Sequence, residues 1–393
     1  MKRNTEHVTD QKALLHFDYQ ASTPCDPQVL DAMQPYWCEY WGNPSSPYSR
    51  AGLQASAAVS LAREELAACL KVNPQRLIFT SGATEANNLA LLGHARARAV
   101  DLGKPGHLIT VSTEHHSVIE PLRQLQCEGF RLTEITPAPD GRLSTRQLLD
   151  AFENDTFLVS VMMANNEIGV LQPLEDLAKL CSERGVIFHS DAAQAFGQLT
   201  FDIDQIGIDF LSISGHKIYG PKGIGALVIN ENVPILPLQW GGGQEFGIRS
   251  GTIPVPLVVG FAKAAEITFK DLKKYQVHFL GLRNELWKRL KSEMPNLILN
   301  GSLNERLSNN LNFTIPGIKG SYLHRALRPL IHCSNGSACS NGEPSHVLRA
   351  LGRTKEESEA SLRLSIGRYT TIDQVKRVVN LISSIVRKLK DEE

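Results

Sequence analysis

Phe210-Leu-Ser-Ile-Ser-Gly-His-Lys217-Ile-Tyr-Gly-Pro-Lys-Gly-Ile-Gly225-Ala-Leu-Val-Ile229 carries two short apolar runs, Phe210 to Ile213 and Gly225 to Ile229, around a turn-rich segment that opens on Ser214-Gly215-His216-Lys217. Short apolar runs bounded by Gly and Pro read as buried strands. The same pattern recurs upstream at Leu77 to Thr80, Leu108 to Val111, Leu158 to Met162 and Val186 to His189. Between these runs, Gly52 to Leu70 and Leu174 to Arg184 are helical in pattern and long enough to cross over a sheet. This alternation predicts an α/β domain with a mostly parallel central sheet flanked by helices.

Pro254 and Pro256 mark a break, and a long charged helical stretch from about 258 to 294 follows it. Strand-like patches at Leu311 to Ile315 and Ser361 to Ile366 lie beyond, with a final helix. In that helix Val375, Val378, Val379, Ile382, Ile385, Val386 and Leu389 recur at helical spacing and give it one apolar face. The expected division is a large domain over 20–262 and a smaller α+β domain over 263–393 joined by 1–19. A chain of 393 residues exceeds the usual size of one domain, which suits that division.

With 41 basic and 41 acidic side chains the net charge is zero, so no long-range field draws the chain to nucleic acid or an anionic membrane. No apolar run approaches the length of a membrane span, and the first residues, Met-Lys-Arg-Asn-Thr-Glu-His, lack the apolar core of a signal peptide. A cytoplasmic enzyme is expected. The seven cysteines are scattered without CxxC spacing, which argues against a disulfide framework and against a zinc site.

Almost every expected strand runs at once into a polar cluster: Ser81-Gly-Ala-Thr-Glu85, Ser112-Thr-Glu-His115, Asn165-Asn-Glu167, Asp191 with Gln194, and Ser214-Gly-His-Lys217. Ligands of open α/β sheets bind outside the carboxyl ends of the strands, so these clusters are expected to converge on one pocket. Ser81-Gly-Ala-Thr84, where a strand gives way to a helix, suits a phosphate as well as an ordinary helix cap. A lysine at a buried strand end loses solvation and is primed to form a Schiff base with an aldehyde. Asp191, at a neighbouring strand end, suits a pyridinium nitrogen.

These residues are recognisable. The chain resembles the class V, NifS/IscS-type cysteine desulfurases over nearly its whole length. The resemblance rests on Asp18-Tyr-Gln-Ala-Ser-Thr-Pro, Gly42-Asn-Pro-Ser-Ser, Thr80-Ser-Gly-Ala-Thr-Glu, Thr113-Glu-His, Asn165-Asn-Glu-Ile-Gly, His189-Ser-Asp-Ala-Ala-Gln, Ser212-Ile-Ser-Gly-His-Lys-Ile-Tyr-Gly-Pro-Lys-Gly, Arg249-Ser-Gly-Thr and Gly336-Ser-Ala-Cys. It implies a fold-type I enzyme using pyridoxal 5'-phosphate (PLP), no metal, and a homodimer with sites near the subunit interface.

By resemblance Lys217 is the Schiff-base lysine, Asp191 the pyridinium partner, Gln194 the ring-oxygen contact and His115 the stacking acid/base. Ala83, Thr84, Ser214 and His216 resemble the phosphate cradle, Asn166 a further cofactor contact, and Thr252 a contact to the phosphate in the partner subunit. Asn43 and Arg363 resemble the clamp on the substrate carboxylate, a task suited to the planar guanidinium fork. Cys339 matches the nucleophile that takes sulfur from L-cysteine, leaving L-alanine and a persulfide for an acceptor such as an iron-sulfur scaffold or a sulfur carrier. The Gly and Ser around it predict a loop, as a thiol that must meet both substrate and acceptor requires.

Two departures bear on acceptor choice. The stretch from Cys339 to Glu343 is a little shorter than in the housekeeping members, and no docking tail follows Asp391-Glu-Glu. Cys333 matches no family landmark and reads as a buried thiol, with a sulfur relay as its alternative. The rival activities are a cysteine or cystine C-S lyase and a selenocysteine lyase on the same fold, which need no nucleophilic cysteine. A binding or scaffold protein that lost catalysis is the rival from another class.

Overall fold

The computed structural model describes residues 14–334 and 344–391. Its centre is a seven-stranded sheet built from β1 (Leu77–Thr80), β2 (His107–Val111), β3 (Arg131–Ile135), β4 (Thr156–Ser160), β5 (Ile187–Asp191), β6 (Phe210–Ser214) and β7 (Gly225–Ile229), in the order β1-β7-β6-β5-β4-β2-β3. The run from β6 to β3 is parallel throughout, whereas β7 lies antiparallel to both of its neighbours. The turn-rich segment after Lys217 is short enough to reverse the chain directly into β7, while parallel neighbours need crossovers.

The apolar runs of the sequence fall in strands, with two differences. The run ending at Met162 is displaced, since the regular strand stops at Ser160. Its backbone still follows β5, with Val161 N–H donating to the His189 carbonyl and Met163 N–H to that of Asp191. The edge strand β3 has no apolar run, because only Ile135 of its five residues is buried.

His189 sits at the centre of the sheet, fully buried, with Nδ1 2.8 Å from Ser160 Oγ on β4 and Nε2 3.2 Å from Ser212 Oγ on β6. It therefore ties three parallel strands together below the edge where their carboxyl ends emerge. Gly225 makes another close approach: a Cβ there would lie 2.7 Å from the Gly82 Cα and 2.5 Å from the Ile213 carbonyl oxygen. The start of β7 thus packs backbone to backbone against the turn after β1.

Helix α1 (Arg50–Leu70) buries Ala55, Val59, Ala62, Leu66 and Leu70 along one face and packs against α4 (Val255–Lys270). Both belong to the main apolar cluster, which reaches the sheet through Phe79, Phe188 and Phe261. The long charged stretch after Pro256 is two helices, not one, because the chain breaks at Asp271 between α4 and α5 (Leu272–Glu293). At that break the chain passes to a second cluster. There α5 and the last helix (Ile372–Asp391) cover a small antiparallel sheet of Ile298–Leu299, Asn310–Thr314 and Ser361–Ser365. The face expected from the sequence is the one that packs: Val375, Val378, Val379, Ile382 and Val386 are buried.

Burial pulls the His189 imidazole down to about 3, so the folded chain holds it neutral. Its folded-state value lies below the ordinary 6.5. Its contribution to stability is therefore complete above that pH and is lost as pH falls toward 3, at about 1.4 kcal/mol per pH unit. His189→Gln keeps amide atoms near both serines and cannot titrate. Urea midpoints measured from pH 7 to pH 5 are expected to fall less steeply in His189→Gln than in the wild type; parallel slopes would refute the assignment.

Candidate active site

The carboxyl ends of β2, β4, β5 and β6 open into a cavity of about 530 Å³. Ala83, Thr84, His115, Asn166, Asp191, Gln194, Ser214, His216, Lys217 and Arg363 all line it. Two expected residues stand apart within one subunit. Thr252 is exposed, and Asn43 is exposed with its Oδ1 accepting from Ser45 N–H at 2.9 Å. Cys339 lies outside the described residues.

Lys217 ends the short turn Gly215–Lys217 that follows β6. Its Nζ donates to the carbonyls of Gln20 at 2.5 Å and Ala21 at 2.9 Å. Gln20 is also held by Gln194, whose Nε2 donates to its carbonyl at 3.1 Å, and by Asn310, which donates to its Oε1. The N-terminal stretch thus forms one wall of the cavity. His216 reaches the same stretch, with Nδ1 3.2 Å from Ser22 Oγ, and burial lowers it to about 4, aided by Lys217 and Lys222.

Asp191 terminates β5 with each carboxyl oxygen accepting a hydrogen bond: Oδ1 from Ala193 N–H at 2.9 Å and Oδ2 from Asn87 Nδ2 at 2.7 Å. The carboxyl is thereby fixed in orientation at the cavity wall. His115 caps helix α3 (His116–Cys127), its Nδ1 accepting from Ser117 N–H at 3.1 Å. Burial holds the His115 imidazole below its ordinary range; Asp191 pushes back, while Lys217 and His116 add to the lowering.

At the opposite end, Arg363 is 2% exposed and donates from Nη2 to Asp18 at 2.7 Å and from Nη1 to the Asn166 carbonyl at 2.7 Å. Two buried acids flank this end. Burial raises Glu167 to about 7 against the opposing effects of Ser345, whose hydroxyl donates to it, and of Arg363. Burial also raises Glu114 well above the usual carboxyl range, opposed by Met162 N–H and reinforced by Asp191. His346 Nε2–H donates to the Glu114 carbonyl at 2.8 Å, and its ring lies tilted 4.7 Å from that of His116. Cys333 is half-buried, and burial with Asp18 pushes its thiol up to about 12, so it carries no thiolate at neutral pH. That argues against the relay.

The donor set fits an aldehyde cofactor bearing a phosphate. Gly82, at the N-cap of the helix starting at Ala83, has φ of 152°, and a Cβ added there would meet nothing within 4 Å. The turn is therefore open space edged by N–H groups, as an anion needs. Asn166 Oδ1 and Arg363 Nε, both buried at the cavity, have no hydrogen-bond partner among the described residues. No amine other than Lys217 is held at a strand end here among the described residues that line the cavity, apart from Lys222 in the following loop.

Sequence reasoning missed Asn87 and Ser117, and it gave no role to Glu114, Glu167 or the pair Glu85–Arg249, although these lie in the clusters and motifs it singled out. Arg249 Nε donates to Glu85 Oε1 at 2.8 Å, and Glu85 also accepts from Ser81 N–H at 2.6 Å. Burial pushes the Glu85 carboxyl up, but Arg249 and Ser81 outweigh it and hold it below its usual range. A carboxylate in the first turn of the helix that begins at Ala83 is thus neutralised by a guanidinium from the Gly-rich segment before Thr252.

The aminotransferase class-V family matches residues 15–378. A mitosomal cysteine desulfurase of Trachipleistophora hominis is 45% identical, covering 100% of this chain and 91% of its own. A cysteine desulfurase IscS of Rickettsia conorii is 44% identical over 96% of this chain and 92% of its own. Among solved structures, a NifS-like protein superposes with a TM-score of 0.89 at 34% identity, covering 96% of this chain and 100% of that one. Arg249→Gln leaves the Glu85 charge uncompensated beside the turn expected to hold the phosphate. PLP affinity, read by spectral titration, is expected to fall roughly fivefold, the scale of a charge at a helix terminus. Adding Glu85→Gln to the same chain should restore most of it, whereas equal losses in single and double variants would reject the electrostatic account.

Proposed function

Because the chain belongs to the aminotransferase class-V family of PLP enzymes, we propose that its cavity holds the cofactor on Lys217 and delivers the sulfur of cysteine to Cys339. The activity is that of a cysteine desulfurase, converting L-cysteine to L-alanine with a persulfide as the sulfur product. What carries the assignment of residues is the convergence of Lys217, Asp191, His115 and Arg363 on one cavity.

In this reading Lys217 provides the amine that holds the aldehyde, Asp191 meets the ring nitrogen, Gln194 the ring oxygen and His115 the ring face. Ala83, Thr84, Ser214 and His216 cradle the phosphate, and Asn166 adds a contact. Bound PLP supplies an electron-withdrawing ring that stabilises negative charge on the carbon bearing the amino group. Arg363 fixes the substrate carboxylate, with Asn43 as its companion, so that the sulfur is presented in one orientation. The Cys339 thiolate then bonds to that sulfur; the carbon keeps the electron pair of the broken C–S bond and takes up a proton to become the methyl of alanine. The buried walls around Asp191 and Glu167 keep bulk water from these groups.

Dimeric assembly and a sulfur acceptor are features of the family. We assign the acceptor to the class of iron-sulfur scaffolds and sulfur carriers, since a persulfide must pass to a thiol or metal site. Among the described residues no helix is long and apolar enough to cross a membrane, and the cytoplasm is the compartment we assign. In a dimer the exposed Thr252 is free to meet the partner's phosphate site.

Mass spectrometry after incubation with labelled cysteine is expected to find the added sulfur on Cys339, with alanine formed in parallel. Cys339→Ser should keep PLP and bind cysteine yet make no alanine; near-normal alanine from that variant would move the protein to the lyases. Mixing Thr252→Ala with Lys217→Ala subunits tests the shared site. If Thr252 acts across the interface, one hybrid site keeps both residues and activity recovers above either parent. No recovery places Thr252 in its own subunit.

A further inference from the structure

Asn87 and Ser117 take no part in the chemistry above, yet they are 0% and 8% exposed and join the two groups that meet the ring. Asn87 Nδ2 lies 2.7 Å from Asp191 Oδ2 and 2.9 Å from Ser117 Oγ. Ser117 Oγ lies 2.8 Å from His115 Nδ1, and the Ser117 N–H donates to that same nitrogen at 3.1 Å.

The direction of each hydrogen bond follows from its neighbour. A carboxylate oxygen accepts, so the amide nitrogen of Asn87 must face Asp191, and its second N–H is then turned to Ser117 Oγ. Ser117 Oγ accepts there and has its own proton left to give. The backbone N–H of Ser117 can only donate, so His115 Nδ1 must offer a lone pair, and the serine hydroxyl donates to it as well. In a neutral imidazole with Nδ1 accepting, the proton resides on Nε2.

We propose that Asn87 and Ser117 are positioning residues that lock His115 as its Nε2–H tautomer, so that the ring presents an N–H donor, not a lone pair, to the substrate. The inference rests on His115 meeting the ring face, beside which the substrate must bind, as read above, but its test does not. Position at the start of the twelve-residue helix α3 works in the same direction, because the positive helix end opposes a proton on Nδ1. The charged and titratable groups around the ring are Asp191 on β5, Lys217 after β6, His116 on α3 and His346 from the segment after residue 343. Asp191 alone favours the imidazolium, and burial outweighs it. His115 therefore enters the reaction as a neutral hydrogen-bond donor to negative charge developing on the substrate, and the first proton removal belongs to a different base.

The test uses full-length protein labelled with ¹⁵N-histidine, with and without PLP, and long-range ¹H–¹⁵N correlation. The His115 signals are those missing from His115→Gln. Expected is a pyridine-like Nδ1 and a pyrrole-like Nε2 from pH 6 to 9. Ser117→Ala removes the hydroxyl donor but not the N–H; the His115 titration should rise by about half to one pH unit, the loss of one hydrogen bond. A population protonated on Nδ1 should also appear. Ser117→Thr should restore the wild-type pattern. A pyrrole-like Nδ1 in the wild type, or an unchanged His115 in a folded Ser117→Ala, overturns the proposal. These signals do not depend on turnover, so a correct tautomer without sulfur on Cys339 would indict the reaction and not the lock.

Discussion

Parallel strands cannot be joined by tight turns, and that constraint governs the molecule. Each return through a helix brings the next strand back in the same sense, so the ends of β2, β4, β5 and β6 emerge along one edge. Four segments far apart in sequence thereby deliver His115, Asn166, Asp191 and Lys217 to one cavity. The loop before the antiparallel β7, at Lys222 and Gly223, and the N-terminal stretch around Gln20 line it as well. His189, bonded to serines on both neighbouring strands, keeps those ends in register at a position no solvent reaches.

The cavity is organised by partners more than by charges. Asp191 is oriented by an amide and a backbone N–H, Lys217 by two carbonyls, and Arg363 by Asp18 and a carbonyl. Each reactive group is thus pre-aimed at the cost of no further reorganisation when substrate arrives. The acids Glu114 and Glu167 stand behind this shell. Burial raises both, which lessens the negative charge that Glu167, in the wall, and Glu114, behind it, set near a carboxylate substrate.

The strands and the polar residues at their ends were legible because a buried parallel strand is a nearly unbroken apolar run and its functional neighbours follow directly. Lys217, Asp191 and His115 could be named on that basis, and motif resemblance supplied Arg363 and Cys339. What escaped was what lies inside helices or on edges. Asn87 stands beside Asn88 in a helical pattern, indistinguishable there from a solvated residue. Glu85 looks like an ordinary acidic first-turn residue until the chain brings Arg249 beside it. The edge strand Arg131–Ile135 has too few buried side chains to announce itself, and the break at Asp271 interrupts a helical pattern without any Gly or Pro.

The contact between Gly225 and the turn at Gly82 has an evolutionary corollary. Neither glycine carries a reactive atom, yet a single added methyl group on Gly225 would displace the backbone of the turn we assign to the phosphate. A survey of tolerated substitutions would therefore mark Gly225 as immutable as Lys217 and invite the conclusion that it touches the ligand. Its immutability reports on the spacing of two backbones. In this fold, intolerance to change maps the scaffold beneath the chemistry as faithfully as the chemistry itself.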